Sequence, residues 1–323
     1  MNRFPSRRAA VAALLVLATA AAQAASFPTR PIRLLVGASA GGTTDTLARE
    51  IADDMTKTLG QPVIVENKPG AGGNIAAQEV ARAPADGHTL LVSFTSHTMN
   101  ASLMKKLPYD PIADFTPVAL LAKVSSVLVT RAAAPYRSVA DVVAKGKSAP
   151  QGLTFAIGGT GSSLHMDTYE FEVASGVQVT QIPFKGTSPA LADVLAGHVD
   201  LMFAPANGAR PLVQSGKLRA LAVASTKRIA AFPEAPPITD ALPKYTTNNG
   251  WFGVLGPAKL PADVTQALNA AVNKAMQQPK VRARLESDGS APALGTPEQF
   301  GEFLAADLKH WASQAKAFGI KPE

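Results

Sequence analysis

Residues 31–50 read PIRLLVGASAGGTTDTLARE, and the pattern of this segment indicates the fold class. It begins with the apolar run 32–36, whose length is typical of a buried strand. A loop of small residues follows, in which Gly41 and Gly42 let the backbone turn and approach a ligand closely. Threonine and aspartate then suit the first turn of a helix, and Leu47 and Ile51 recur at helical spacing. The stretch therefore predicts a strand, a glycine loop and a helix N-terminus.

The predicted loop is a favourable place for an anion. Free N–H groups and the positive end of the helix dipole point out of the N-terminus of a helix. We therefore interpret the protein as one that holds a small anion here, with the candidate residues Ser39, Ala40, Gly41, Gly42 and Thr43. The first-turn carboxylate of Asp45 would repel an anion, so we expect it to stabilise the helix N-terminus instead.

The same strand–loop–helix order repeats downstream. Two further apolar runs are predicted strands, and residues 69–74 form a second glycine loop before a helix. Strands that alternate with helices pair in parallel, and ligands of such sheets lie at the carboxyl ends of the strands. We therefore expect three loops to share one rim, namely 39–44, 69–74 and 93–97. Thr95 and Ser96, in the last of these loops, are candidate ligand contacts.

A second lobe is predicted from the middle of the chain. Residues 118–130 are a long apolar run, which we interpret as one strand that crosses between domains. The strand–loop–helix pattern restarts at residue 153, and the run 251–255 is predicted to return to the first sheet. The predicted fold class is α/β, with two lobes joined by two crossing strands around a cleft that closes on its ligand. The predicted boundaries are residues 25–125 and 248–323 for the first lobe and 126–247 for the second.

Two loops of the second lobe carry further candidate ligand contacts, and both follow predicted strands. The candidates are Gly159, Thr160, Gly161, Ser162, Ser163, His165, Lys185, Gly186 and Thr187. His165 falls in the first turn of a helix, where it either packs against its own loop or contacts the ligand. Lys185 is the only lysine or arginine in the candidate loops and is either solvated or directed at the ligand. Because such residues are scarce, main-chain N–H groups and hydroxyls would have to hold a carboxylate ligand.

The N-terminus has the pattern of an export signal. Arg3, Arg7 and Arg8 precede the apolar run 9–22, and a small-x-small motif predicts cleavage after Ala24. The apolar run is too short to serve as a membrane anchor. We therefore expect residues 1–24 to be a signal peptide and the mature protein to be periplasmic.

Composition argues against several classes of function. Without the three arginines of the signal, the formal net charge falls from +7 to +4, and no basic run occurs, so we expect no nucleic-acid partner. The chain has no cysteine, and its five histidines lack the spacing of metal ligands, so we expect no metal site. No glycine loop completes a dinucleotide or Walker motif, so we expect no cofactor. We expect a monomer that binds a small molecule.

An enzymatic alternative stays open. Residues 37–41 match the G-x-S-x-G nucleophile elbow, with Ser39 as the nucleophile, and an aspartate and a histidine follow in the required order, for example Asp167 and His198. An elbow normally has strands of the sheet before it, whereas this one ends the first strand of the mature chain. We therefore favour a binding protein over a secreted serine hydrolase.

Several stretches together resemble the Bug family, the substrate-binding receptors of tripartite tricarboxylate transporters. The matching stretches are 27–32, 41–45, 66–74, 83–90, 107–110, 159–165, 183–186, 197–203 and 251–253. The resemblance implies a periplasmic-binding-protein fold of the Venus-flytrap type. It implies a carboxylate ligand, such as a di- or tricarboxylate, an acidic amino acid or an aromatic acid, and membrane transporter subunits as partners.

The resemblance also assigns roles to residues. It implies that residues 40–43 grip one ligand carboxylate through the backbone and ordered waters, and that residues 160–163 grip it from the other lobe. We expect Asp200, in one matching stretch, to support the site structurally. Ser39 and Ala40 differ from the proline-containing start of this loop in many relatives, so the resemblance does not identify the solute.

Overall fold

The structure is a computed structural model that describes residues 27–148, 152–158, 162–184, 186–247, 250–320 and 322. The predicted signal peptide lies outside the described residues. So do four of the predicted ligand contacts, namely Gly159, Thr160, Gly161 and Lys185.

The first sheet collects strands from both ends of the described chain. Its strands are β1 (Ile32–Val36), β2 (Val63–Asn67), β3 (Thr89–Phe94), β4 (Phe115–Val124), β10 (Gly250–Pro257) and β11 (Ser290–Pro292). Their order across the sheet is β11-β4-β10-β3-β1-β2. β1 pairs in parallel with β2 and β3, and β10 runs antiparallel between β3 and β4. The predicted parallel unit and the predicted return of the chain at β10 are confirmed.

Helices cover both faces of this sheet. They are α1 (Thr43–Leu59), α2 (Asn74–Ala81), α3 (Ser96–Leu103), α9 (Ala262–Met276), α10 (Pro279–Ser287) and α11 (Pro297–Ala317). The apolar residues that recur along α1, including Leu47, Ile51 and Met55, are buried against Leu268 and Val272 of α9. Burial of such an amphipathic face supplies most of the stability of a helix of this length. The core therefore holds the N-terminal end of α1 at the end of β1.

The second sheet is built from the middle of the chain. Its strands are β5 (Ser126–Arg131), β6 (Leu153–Ile157), β7 (Val179–Pro183), β8 (Leu201–Pro205) and β9 (Leu218–Val223), in the order β7-β6-β8-β5-β9. Its helices are α4 (Val139–Ser148), α5 (Ser163–Ser175), α6 (Thr187–Ala196), α7 (Ala206–Gln214) and α8 (Ile238–Ala241). β6 pairs in parallel with β7 and β8. The two sheets and their helices form a two-lobed α/β fold, as predicted.

The chain first passes between the lobes within the long apolar run 118–130. The prediction that this run forms a single strand is wrong. β4 ends at Val124, β5 begins at Ser126, and Ser125 lies between them. β4 pairs in the first sheet and β5 in the second. The apolar pattern continues through the break because both strands are buried, so the pattern alone does not reveal the change of sheet.

A small apolar cluster also joins the lobes. Met99 of α3 and Trp311 of α11 pack with Met166 of α5 in the second lobe. Just beyond α11, the ring of Phe318 stacks on Tyr169 of α5, with 5.2 Å between centroids. The C-terminal helix therefore contacts both lobes.

In the part of the chain that the structure describes, no helix has the length and apolar character needed to cross a membrane.

Candidate functional site

A cavity of about 660 Å³ lies between the lobes. Its wall combines loops of both lobes with the segment where the chain crosses between them. The residues that line it are Ala38, Ser39, Ala40, Gly41, Gly42, Thr43, Thr44, Phe94, Thr95, Ser96, Met99, Val124, Ser125, Ser126, Ser162, Ser163, Leu164, Asp167, Thr187, Pro205, Asn207, Gly250, Trp251, Phe252, Asp288 and Ser290. The cavity thus brings together the predicted loop 39–43, Thr95, Ser96, Ser162, Ser163 and Thr187.

Among the described residues, five helices begin at this wall. α1, α3, α5, α6 and α7 each contribute a cap or first-turn residue to the lining. The N-terminus of each helix presents unpaired N–H groups and roughly half a positive charge. The described lining contains no lysine, arginine or histidine. It does contain the carboxyl groups of Asp167 and Asp288, so attraction for an anion has to come from oriented peptide groups rather than from cationic side chains.

The loop between β1 and α1 uses part of its own hydrogen-bonding capacity. The N–H of Gly41 donates to Oδ2 of Asp45 at 2.8 Å, and the N–H of Gly42 points to the carbonyl oxygen of Ser39 at 3.4 Å. The N-cap of α1, Gly42, provides no side-chain cap. The amides of Gly41 and Gly42 are therefore engaged within the loop. The first-turn amides of Thr43 and Thr44 are the donors that α1 itself offers to the cavity.

Asp45 holds this loop in place. It is 3 % exposed, and its carboxylate accepts hydrogen bonds from Gly41, from Nε of Arg49 at 3.1 Å and from Nδ2 of Asn67 at 2.9 Å. Burial by itself would raise the pKa of Asp45, but these hydrogen bonds outweigh burial and hold the pKa below its ordinary value. Asn67 also donates to the carbonyl oxygen of Ala38 at 3.1 Å. The charged Asp45 thus ties the loop to β2 through Asn67.

Thr95 and Ser96 join the wall to neighbouring elements. Oγ1 of Thr95 accepts the N–H of Trp251 at 2.9 Å, and Oγ of Ser96 donates to the carbonyl oxygen of Gly72 at 2.5 Å. These hydroxyls therefore fix the start of α3 against β10 and against the second glycine loop.

Asp307 supports the same part of the wall, and the sequence analysis missed it. Its Oδ2 accepts hydrogen bonds from Thr98 at 2.5 Å and from the indole N–H groups of Trp251 at 2.8 Å and Trp311 at 3.1 Å. Burial raises the pKa of Asp307, and the three hydrogen bonds offset this only in part. An acidic residue on the buried stripe of α11, next to Leu304, was the available signal.

In the second lobe, Ser162 caps α5. Its Oγ accepts the N–H of His165 at 3.3 Å, which places Ser163 and Leu164 at the cavity. The ring of His165 does not line the cavity: its Nε2 lies 2.7 Å from Oε1 of Gln181. Burial lowers the pKa of His165. The ring of His165 is therefore held by Gln181 of β7 and is not directed at the cavity.

Of the remaining predicted residues of the second lobe, Thr187 lines the cavity, and Gly186 and Asp200 do not. Gly186 is the N-cap of α6. Asp200 lies at the end of β8 opposite to Pro205 and accepts hydrogen bonds from the N–H and Oγ1 of Thr154, at 2.9 and 2.7 Å. Asp200 therefore joins β8 to β6 away from the cavity.

Two polar side chains of the second-lobe wall were assigned no binding role from sequence. Asn207 is the second residue after β8, and its Nδ2 donates to Oγ1 of Thr43 in the other lobe at 2.5 Å. Asp167 is 1 % exposed and accepts hydrogen bonds from Ser126 at 2.5 Å and from Tyr245 at 3.0 Å. The rule that ligands lie beyond the carboxyl ends of parallel strands would have identified Asn207.

The three residues of the hydrolase alternative are not assembled. Ser39 and Asp167 line the same cavity, but His198 does not. His198 lies in the turn after α6, where its side chain is 72 % exposed and its Nδ1 lies 3.6 Å from Oδ1 of Asp193 within α6. Within the described residues, no group of three or more histidine, aspartate or glutamate side chains could hold a metal ion.

Comparison with known protein families gives a match over most of the chain. The family model described as the tripartite tricarboxylate transporter family receptor matches residues 47–320. The protein BugT of Bordetella pertussis is 34 % identical over 299 residues, which cover 92 % of this chain and 91 % of BugT.

Solved structures agree with this match. The R. palustris protein Rpa4515 with adipate has a TM-score of 0.82 at 34 % identity, covering 92 % of this chain and 100 % of that one. MatC from Rhodopseudomonas palustris with bound malate has a TM-score of 0.77 at 35 % identity, with 89 % and 99 % covered. The periplasmic binding protein BugD has a TM-score of 0.79 at 31 % identity, with 92 % and 100 % covered.

Proposed function

This chain belongs to the family of tripartite tricarboxylate transporter receptors, and we propose that it captures a small carboxylate between its lobes and delivers it to the membrane subunits of such a transporter. One observation carries the proposal: five helix N-termini converge on a cavity whose described wall has no cationic side chain. A carboxylate suits such a wall because its oxygens accept hydrogen bonds from main-chain N–H groups.

Hydrogen bonds from main-chain N–H groups and hydroxyls can supply the binding free energy that a receptor of this kind needs. Hydrogen bonds to a charged group contribute about 1.5–3 kcal/mol each. Four of them could outweigh the costs of ordering and desolvation and reach micromolar affinity, roughly −8 kcal/mol. Release to a transporter is easier from dipoles than from a buried ion pair, because no uncompensated charge remains behind.

The size and lining of the cavity favour a small organic acid. Its volume of about 660 Å³ lies in the range of roughly 300–1,000 Å³ that is usual for small-molecule sites. Phe94, Met99 and Phe252 give part of the wall an apolar surface for a carbon skeleton. The dicarboxylates in the names of the Rpa4515 and MatC structures, adipate and malate, make aliphatic dicarboxylates the first candidates. Tricarboxylates, acidic amino acids and aromatic acids follow.

We further propose that the protein acts in the periplasm as a monomer, without a cofactor or catalytic activity, after removal of the signal peptide behind Ala24. Mass spectrometry of protein secreted from a Gram-negative host would check the cleavage position. A mature chain that begins elsewhere than residue 25 would contradict it.

The central experiment is a ligand panel on mature protein, residues 25–323. We expect at least one di- or tricarboxylate, acidic amino acid or aromatic acid to raise the melting temperature, since a ligand at 100 times its Kd stabilises the folded state by about 2.7 kcal/mol. Calorimetry on each hit should give a stoichiometry of one. The matched control is the corresponding amide or alcohol, which lacks the charge and should bind much more weakly. Equal binding of acid and amide, or no binding of any acid, would contradict the proposal.

A further inference from the structure

The first residues of α7, in the second lobe, touch the first lobe at two neighbouring positions. The first contact is the hydrogen bond from Nδ2 of Asn207 to Oγ1 of Thr43, at 2.5 Å. The orientation of this amide is determined independently, because Oδ1 of Asn207 accepts the N–H of Gly208 at 2.8 Å. The amino group of Asn207 must therefore face Thr43.

The second contact lies one residue earlier on α7. Gly289, between α10 and β11 of the first lobe, has a φ of +67°. A Cβ at this position would lie 2.5 Å from Cβ of Ala206, 3.3 Å from Cδ1 of Ile229 and 3.4 Å from Cβ of Ala231. All three neighbours belong to the second lobe. The lobes therefore approach each other here so closely that only glycine fits without displacement of one lobe.

We propose that these two contacts define the closed state of the protein, with Asn207 as a latch on Thr43 and with Gly289 as the residue that permits the approach. Asn207 acts as a positioning residue. It holds the first residue of α1, and with it the first-turn amides of Thr43 and Thr44, against the second lobe. Both partners are only partly buried, so the hydrogen bond can break when the lobes separate.

The hydrogen bond between Asn207 and Thr43 determines, in part, which fraction of the ligand-free molecules is closed. Apparent affinity falls in proportion to the fraction of molecules in the binding-competent state. A hydrogen bond between uncharged groups typically changes such an equilibrium by roughly 2- to 12-fold. Asn207 thus affects binding through closure without a requirement that it touch the ligand.

The closure claim is testable without any ligand. Because the chain has no cysteine, spin labels can be placed by Lys57→Cys and Gln214→Cys, close to the C-terminal ends of α1 and α7. These helices meet N-terminus to N-terminus at the latch, so their far ends should separate as the lobes open. Double electron–electron resonance should show that Asn207→Ala raises the open-to-closed ratio roughly 2- to 12-fold.

Variants of Thr43 test whether the hydrogen bond itself is responsible. Thr43→Val removes the hydroxyl with little change of shape and should open the protein as much as Asn207→Ala does. Thr43→Ser keeps the hydroxyl and should retain the wild-type distribution. The double variant Thr43→Val/Asn207→Ala should open no further than either single variant, because both remove one interaction. An unchanged distance distribution in Asn207→Ala, or additive effects in the double variant, would overturn the latch.

Gly289 has a matched control in Gly176, at the C-terminus of α5. Gly176 has a φ of +66°, and a Cβ there would meet no described atom within 4 Å. Alanine at either position carries the same backbone strain, but only Gly289→Ala should push the lobes apart. If both variants show the same label distances, the role of Gly289 is refuted. The Asn207 variants decide about the latch even if Gly289→Ala fails to fold.

The effect on affinity rests on the proposed function. With a carboxylate from the panel, Asn207→Ala should raise Kd by the same factor by which it lowers the closed fraction. If wild-type protein binds no carboxylate, the proposed function fails, whereas the label distances still decide about the latch. If wild-type protein binds but the label distances do not respond to Asn207→Ala, only the latch fails.

Discussion

The two sides of the cavity are prepared for a ligand in different ways. In the first lobe, Asp45 receives three hydrogen bonds and ties the loop 38–44 to β2 through Asn67. Helix capping does not separate the lobes: Ser162 caps α5, whereas α6 and α7, like α1 and α3 of the first lobe, have no side-chain cap. The side chain of Asn207 is oriented by Gly208 and by a partner in the other lobe.

The difference indicates which lobe contacts the ligand first. A preorganised loop loses little conformational entropy when a ligand binds. A surface that depends on contacts with the other lobe is complete only after the lobes close. We infer that the ligand carboxylate meets the first lobe in its final geometry and that the second lobe completes the site as the cleft closes.

The largest effect should come from blocking the first-lobe loop. Gly42 has a φ of −77°, a backbone conformation that any residue adopts, so Gly42→Val should fold. Its side chain would stand where the ligand approaches α1, and we expect calorimetry to show a loss of affinity of at least about 100-fold, or roughly 2.7 kcal/mol. Gly42→Ala adds a single methyl group and should give an intermediate loss. Unchanged affinity in a folded Gly42→Val variant would contradict recognition at this loop.

An intermediate effect should follow from loss of the Asp45 charge. Asp45→Asn removes a charged acceptor, and we expect a loss of about 1.5–3 kcal/mol in unfolding free energy. Hydrogen exchange at residues 38–44 should accelerate, while residues 162–164 and 205–207 keep their wild-type rates. Equal acceleration on both sides of the cavity would contradict the difference between the lobes.

The same substitution predicts a pH dependence with a definite sign. Because the pKa of Asp45 is lower in the folded protein than its ordinary value, its contribution is complete above the unfolded-state pKa of about 3.9. That contribution is lost as the pH falls through the folded-state pKa. The difference in unfolding free energy between wild type and Asp45→Asn should therefore be largest near neutral pH and shrink below about pH 4. Urea unfolding at both pH values measures it, and a difference that grows in acid would contradict it.

The smallest effect is expected for Ser39, the nucleophile of the hydrolase alternative. Ser39→Ala should weaken carboxylate binding by at most about 1–2 kcal/mol, because it removes one hydroxyl from the wall. A hydrolase would instead lose nearly all turnover of an ester substrate. Parallel calorimetry and ester-hydrolysis assays on both proteins separate these outcomes. Ester turnover that disappears in Ser39→Ala would favour the enzyme.

How much could be predicted from sequence depends on how local the interaction is. The unit from β1 to α1 was predictable because a short apolar run, two glycines and a helical repeat lie within residues 32–59. The structural role of Asp45 is compatible with its position in the first turn. The sequence predicted that the chain crosses between the lobes within residues 118–130, but it did not predict the break at Ser125. The apolar pattern shows that both halves are buried and does not show in which sheet each half pairs.

The residues that escaped prediction act across long separations. Asn207 meets a residue 164 positions earlier, and Asp307 meets Thr98 across 209 positions. Their local context marks both as candidates, Asn207 after a strand and Asp307 on the buried stripe of a helix, but it names the partner of neither. Only the packing of α7 against the first lobe and of α11 against α3 gives them a specific role.

Local order was set by sequence alone: the short strands, the glycine turns, the helix starts and the small polar residues that follow the strands. These depend on backbone freedom and on side-chain spacing within a few residues. Tertiary structure decided which helix starts of the described chain share one cavity and which residues meet when the lobes touch. Those outcomes depend on the burial of apolar faces between elements far apart in the chain, and no short window of sequence contains both partners.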